Sequence, residues 1–145
     1  MNKIPIKLAI IDDHDLLRKG ICQFVEHHGF KAAFDADGGN EALKKVEETK
    51  EFPDIFIIDL RMQRMNGIEL ATILREKYPT VKILVYTMED HRTTVEKLLR
   101  LEVNGYVLKA ADPNELKEAV EVIYNGGRYF SAGVAEIAEQ YYSTS

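Results

Sequence analysis

The chain contains one cysteine, no excess of basic residues, no internal repeat, no low-complexity stretch and only short apolar runs. Each shortage excludes a class of protein. Cys22 cannot form an internal disulfide, and its neighbours Ile21, Phe24 and Val25 mark it as a small core residue in a reducing compartment. No run approaches the roughly 18 apolar residues of a membrane span. The N-terminal MNKIPIKLAI is cut off by Asp12 and Asp13 before a signal-peptide core could form, so a cytoplasmic protein without membrane contact is expected. The net charge of −5 lacks the basic footprint of nucleic-acid binding, so no direct nucleic-acid contact by this chain is expected.

What remains is 145 residues, 46% apolar and 30% charged, the composition and length of one globular domain with one substantial core. Residues 7–11 (KLAII), 54–58 (DIFII) and 81–86 (VKILVY) are nearly continuous apolar runs, suited to strands buried on both faces of a parallel sheet. Residues 31–34 and 105–108 are weaker strand candidates. Between them lie helical periods, marked by Leu17, Ile21, Phe24, Val25 and His28, then by Ala42, Leu43 and Val46, then by Leu70, Ile73, Leu74 and Lys77. Val95, Leu98 and Leu99 mark a fourth, and Leu116, Ala119, Val120 and Ile123 a fifth.

Punctuation agrees with that division. Asp112-Pro113-Asn114-Glu115 predicts a helix start with Asp as N-cap, Pro at the first position and Glu closing a capping box. Gly29 ends the first helix and Asn125-Gly126-Gly127 the fifth. Strand and helix alternate five times, which predicts a doubly wound α/β fold with strand order 2-1-3-4-5. The last stretch, amphipathic around Val134, Ile137 and Ala138 and then polar, reads as a short sixth helix or the start of a linker.

In such sheets the ligand site lies beyond the carboxyl ends of the strands, where strand order reverses. Asp12 and Asp13 follow the first strand, Asp59 the third, Thr87 the fourth and Lys109 the fifth. Any one of these alone is ordinarily a cap, a turn residue or a solvated lysine. Together, on one sheet edge, they form a site. Like charges 4 Å apart repel by about 4 kcal/mol at an effective dielectric near 20, so three carboxylates either splay into water or hold a cation. A donor set of oxygens without a His/Cys cluster selects a hard ion such as Mg2+. Beside it, a carboxylate can act as a nucleophile toward phosphorus, while lysine and hydroxyl share the phosphoryl oxygens. His14 reads as a surface histidine at the start of the first helix rather than a ligand.

Over about residues 5–130 the motifs "AIIDDH", "DIFIIDLRMQRMNGIEL", "ILVYTMED" and "NGYVLKAADPNEL" resemble the receiver domain of bacterial two-component response regulators. "YTM", "DDH" and "NGGRYFS" are similar to the NarL/FixJ (LuxR-type) branch, whose members usually carry a C-terminal helix-turn-helix domain. The resemblance implies a flavodoxin-like (βα)5 fold, with a receiver unit over residues 1–130 and a C-terminal helix or interdomain linker over 131–145. It implies Asp59 as phosphoacceptor for a sensor histidine kinase, and Mg2+ bound by Asp12, Asp13, Asp59 and the backbone carbonyl of Arg61. Lys109 would pair with the phosphoryl group, Thr87 would hydrogen-bond to it, and Tyr106 would be an aromatic switch following Thr87. It further implies a phosphorylation-activated switch rather than an enzyme with external substrates, a homodimer on phosphorylation, and a downstream DNA-binding domain if the chain is a fragment.

Four positions depart from the family pattern. Gln63 stands where proline is usual and is expected to loosen the loop after Asp59. Asp15 also replaces a frequent proline, and Glu102-Val103 replaces a common Gly-Ala pair, adding bulk near the fourth helix. Two rival functions are open to the same residues. Asp13-x-Asp15 resembles the nucleophile motif of haloacid-dehalogenase-type phosphohydrolases, although only Asp112 follows Lys109 where that family needs an acidic pair. The other rival is a receiver-like module that works by binding alone.

Overall fold

The structure, a computed structural model describing residues 4–144, places each apolar run in a parallel sheet. Residues 1–3 and 145, which belong to the expected segments 1–130 and 131–145, lie outside the described residues. The strands are β1 (Lys7–Ile11), β2 (Lys31–Ala36), β3 (Ile55–Ile58), β4 (Lys82–Thr87), β5 (Gly105–Leu108) and β6 (Tyr129–Phe130). The helices are α1 (Asp15–His27), α2 (Gly39–Glu48), α3 (Gly67–Lys77), α4 (Arg92–Arg100), α5 (Pro113–Tyr124) and α6 (Ala132–Thr144). The strand order is β2-β1-β3-β4-β5-β6, so the five expected strands take the expected order and a sixth, two residues long, extends the sheet past β5.

Alternation along each strand builds two cores. Ala9, Ile11, Phe56, Ile58, Ile83, Val85 and Tyr106 face α2, α3 and α4. Leu8, Ile10, Ile55, Ile57, Leu84 and Val107 face α1 and α5. Helices therefore cover both faces, and the fold is a flavodoxin-like doubly wound α/β sandwich. Each fully buried Leu, Ile or Val stabilises it by about 1.5–3 kcal/mol. Cys22 is partly buried beside the second core. Burial pushes its thiol up to about 11, which leaves it protonated and a poor nucleophile at neutral pH.

Helix ends follow local chemistry. Gly29 and Gly126 take φ of 88° and 94° after α1 and α5, the left-handed stop that glycine accepts most readily. Asn66 and Glu69 form a reciprocal capping box at α3, which sequence reading overlooked. At α5 the Asp112 carboxylate accepts the Asn114 N–H at 2.8 Å, as an N-cap should. Glu115 does not close the expected box. Its carboxylate instead accepts the Ser131 hydroxyl at 2.6 Å, and that hydroxyl accepts the Leu108 N–H at 2.9 Å. Ser131, only 3% exposed, thus ties the start of α6 to β5 and α5. The last stretch is a docked helix whose Val134, Ile137 and Ala138 join the α4-side core.

Glu102, exposed after α4, sits at φ 59°, in the left-handed region that costs a non-glycine residue roughly 1–2 kcal/mol. Val103 beside it is fully buried in the α4-side core. Glu102→Gly is expected to stabilise the fold by about 0.5–1 kcal/mol, the relief of strain exceeding glycine's added chain entropy. Thermal melting should show a rise of about 2–4 °C.

Candidate functional site

The register of the central strands assembles the site. Ile11 pairs with Ile58, and the Asp59 N–H bonds the Ile11 carbonyl at 3.0 Å, so Asp12 and Asp59 emerge side by side. On the other side Thr87, the last residue of β4, pairs with Leu108, and the Lys109 N–H bonds the Thr87 carbonyl at 2.9 Å. All of these residues stand at the carboxyl edge of the sheet, where β1 and β3 diverge in their connections.

Asp12, Asp13 and Asp59 each offer a carboxylate oxygen within 4.8 Å of the others. Asp12 is 2% exposed and Asp59 8%. The Lys109 ammonium lies 2.7 Å from Asp12 Oδ2 and 3.2 Å from Asp59 Oδ2. One lysine against three carboxylates leaves a net deficit of positive charge that a hard cation with oxygen ligands would balance. Asp12 also accepts the His14 N–H at 2.9 Å, which fixes the turn into α1. His14 itself is exposed at the N-cap position and outside the triad.

Two supports escaped sequence reading. The Arg18 guanidinium donates to the Asp12 carbonyl at 2.8 Å and pairs with Asp35 at 2.7 Å and Asp15 at 2.9 Å, clamping the turn behind the triad. Its only sequence signal was the i,i+3 spacing from Asp15. The Gln63 N–H donates to Asp13 Oδ2 at 3.1 Å. Gln63 thereby gives the loop after Asp59 a contact with the site that proline, lacking an N–H, could not make.

Glu89 is the junction of the β4–α4 loop. Its N–H reaches Thr87 Oγ1 at 3.4 Å, its carbonyl accepts the Tyr106 hydroxyl at 2.5 Å, and its carboxylate accepts from Thr94 at 2.5 Å. Arg61, in the loop after β3, reaches the same carboxylate at 3.5 Å. The Thr94 hydroxyl, with help from the Arg61 guanidinium, holds the Glu89 carboxyl below its usual range. Thr87 is fully buried, and none of its side-chain hydrogen bonds among the described residues runs to a carboxylate. Tyr106 is fully buried against the α4 side; burial, reinforced by the charges of Glu89, Asp90 and Asp59, raises its pKa well above the usual phenol value.

A six-stranded doubly wound sheet carrying an acidic triad and a lysine at its switch point defines an α/β module with its polar site at the carboxyl edge, and the comparisons with known proteins give its family. Residues 8–121 match the response regulator receiver domain, and the chain belongs to that family. It is a receiver domain of the LuxR/NarL type found in two-component response regulators, proteins of signal transduction and transcription regulation. It is 36% identical over 130 residues to the transcriptional regulatory protein DegU of Brevibacillus brevis, covering 89% of this chain and 54% of that one. It is 31% identical over 131 residues to the nitrate/nitrite response regulator NarP of Escherichia coli K12, covering 90% of this chain and 60% of that one. The crystal structure of a LuxR-family two-component response regulator from Aurantimonas sp. SI85-9A1 superposes with a TM-score of 0.87 at 31% identity, over 96% of this chain and 99% of that one. The chain thus spans 54–60% of the length of these curated relatives.

The phosphohydrolase alternative is not favoured. Asp15, which that reading pairs with Asp13, has a 73% exposed side chain bound to Arg18.

Of three clustered carboxylates only Asp12 and Asp59 meet the single ammonium of Lys109, so the site stores repulsion in the absence of a cation. Asp13 is the most exposed of the three, and Asn in its place can still accept the Gln63 N–H through its amide oxygen. Asp13→Asn is expected to raise metal-free stability by on the order of 1 kcal/mol once solvent screening is included. Urea unfolding in EDTA, compared with wild type, checks this, and an unchanged or lowered midpoint counts against stored repulsion.

Proposed function

We propose that this receiver domain is a phosphorylation-dependent switch in which Asp59 accepts a phosphoryl group from a sensor histidine kinase. The observation that carries the reading is Lys109 lying between Asp12 and Asp59, at 2.7 and 3.2 Å, within a carboxylate group of ion-binding dimensions. An Asp59 oxygen attacks phosphorus as the bond to the donor's imidazole nitrogen breaks, and the leaving electron pair stays on that nitrogen. Asp12, Asp13, Asp59 and the Arg61 carbonyl would hold Mg2+, which supplies charge neutralisation for the phosphoryl oxygens. Lys109 moves from bridging two carboxylates to pairing the new phosphoryl charge. Thr87 then gives up its contact with the Glu89 N–H to donate to the same group.

Tyr106 follows, because its hydroxyl rests on the Glu89 carbonyl. The α4–β5–α5 surface shifts toward a second state by as much as the phosphoryl group binds the two states differently. The domain acts on its own phosphorylation and dephosphorylation and on no external substrate pool. Output runs through homodimerisation or through a downstream DNA-binding domain in a longer chain, since the net charge of −5 suits DNA contact poorly. RcsB, whose dimers have been solved bound to DNA, shares this fold at 22% identity. No helix among the described residues is long and apolar enough to cross a membrane, and a cytoplasmic setting accords with that.

Incubation with acetyl phosphate and Mg2+ should add one phosphoryl group by intact mass, with no adduct for Asp59→Asn or in EDTA. No adduct on folded wild type would leave a module that works by binding alone; steady phosphate release dependent on Asp13 rather than Asp59 would restore the phosphohydrolase. The Arg61–Glu89 bridge joins the loops on either side of the site, where it would stand in the path of water to a phosphoryl group on Asp59. Arg61→Ala and Glu89→Ala should each speed dephosphorylation several-fold, and unchanged rates would remove that role.

A further inference from the structure

The connection from β3 to α3 is a tight return. The Gly67 N–H bonds the Leu60 carbonyl at 3.0 Å, and a Cβ on Gly67 would come within 2.4 Å of the Asp59 carbonyl oxygen. Only glycine allows the chain to pass so close to Asp59. Between these points Arg64 adopts φ 67°, a left-handed conformation that few non-glycine residues take and that commonly sits at functional sites. The residue just before it, Gln63, turns its N–H onto Asp13 Oδ2 at 3.1 Å, fifty positions away in sequence.

We propose that the backbone N–H of Gln63 is a positioning group for the cation-binding carboxylate Asp13, aimed there by the left-handed turn at Arg64. This rests on the Mg2+ reading of the triad. Asp13 is the least enclosed of the three carboxylates, and repulsion from Asp12 and Asp59 favours its rotation away from them into solvent. The Gln63 amide opposes that rotation. It occupies one carboxylate oxygen and leaves the other for the ion, since an ionised carboxylate has about four acceptor sites and can serve both partners. The amide is a neutral dipole, so it orients Asp13 without cancelling the charge the ion needs. Gln63 is exposed, and its hydrogen bond to Asp13 runs through the backbone N–H. Here the orienting hydrogen bond to the ligand comes from the main chain.

The proposal fixes an unusual substitution pattern. Gln63→Ala keeps the N–H and should bind Mn2+, read by the electron paramagnetic resonance of the free ion, within about twofold of wild type; Mg2+ competition should give the same order. Gln63→Pro removes the N–H and should weaken binding by about tenfold, the lower end of what loss of an orienting hydrogen bond costs a metal site. Arg64→Val disfavours the turn without touching the amide and should weaken binding in the same direction, while Arg64→Gly should keep it. Equal affinity of folded Gln63→Pro and wild type would overturn the proposal. So would a loss in Gln63→Ala as large as in Gln63→Pro.

If Gln63→Pro does not fold by circular dichroism, amide exchange of the wild type decides. The Gln63 N–H should exchange slowly and lose that protection in Asp13→Ala; equal exchange rates would overturn the proposal. A wild type that binds neither ion would instead bring down the cation reading itself, a failure distinct from that of Gln63.

Discussion

A buried ammonium between two buried carboxylates is the interaction on which this structure's functional end depends. Lys109 arrives at the end of β5 and Asp12 and Asp59 at the ends of β1 and β3, so the contact spans three of the central strands. Removing charges from water is costly, and the cost is met here by placing opposite charges within hydrogen-bonding distance. The third carboxylate, Asp13, is not met by the lysine and is held at the rim by main chain instead. The arrangement therefore pairs two of its three carboxylates and leaves the charge imbalance that the proposed cation site requires. That imbalance is a property of the strand ends together, since no single residue carries it.

The rest of the fold serves to keep those strand ends in register. Two cores on opposite faces of the sheet fix β1, β3 and β4 so that Ile11, Ile58 and Val85 stand in line. A slip of one residue would turn every core side chain to the other face, so the position of the acidic edge is set by packing at some distance from it. Arg18 carries this support into the turn itself by gripping the Asp12 carbonyl.

Much of this was legible in the sequence, and what escaped did so for physical reasons. The continuous apolar runs at β1, β3 and β4 have few alternatives to strands buried on both faces, and the polar residues after them fell together once strand order was known. β6 has only two residues, too few to show any period, and its pairing depends on Gly105 leaving room for the Tyr129 carbonyl. Glu115 followed the pattern of a capping box, but buried Ser131 offered a stronger partner, one that could be seen only after α6 had docked. In the sequence Gln63 shows only as the replacement of a proline, whereas its contact with the site is made by the backbone N–H that proline lacks. Main-chain donors carry no letter in a sequence.

Glu89 has a consequence for how movement can travel through the molecule. Its N–H contacts Thr87 and its carbonyl contacts Tyr106, and these two atoms belong to peptide planes on either side of one α-carbon. Peptide planes are stiff, so only the two backbone torsions of Glu89 separate the hydroxyl of Thr87 from the ring of Tyr106. Linkage of this kind is a short crank rather than a diffuse field. In the proposed switch, loss of the Thr87 contact frees one arm of that crank and leaves the Glu89 carbonyl, on which the Tyr106 hydroxyl rests, to turn with it.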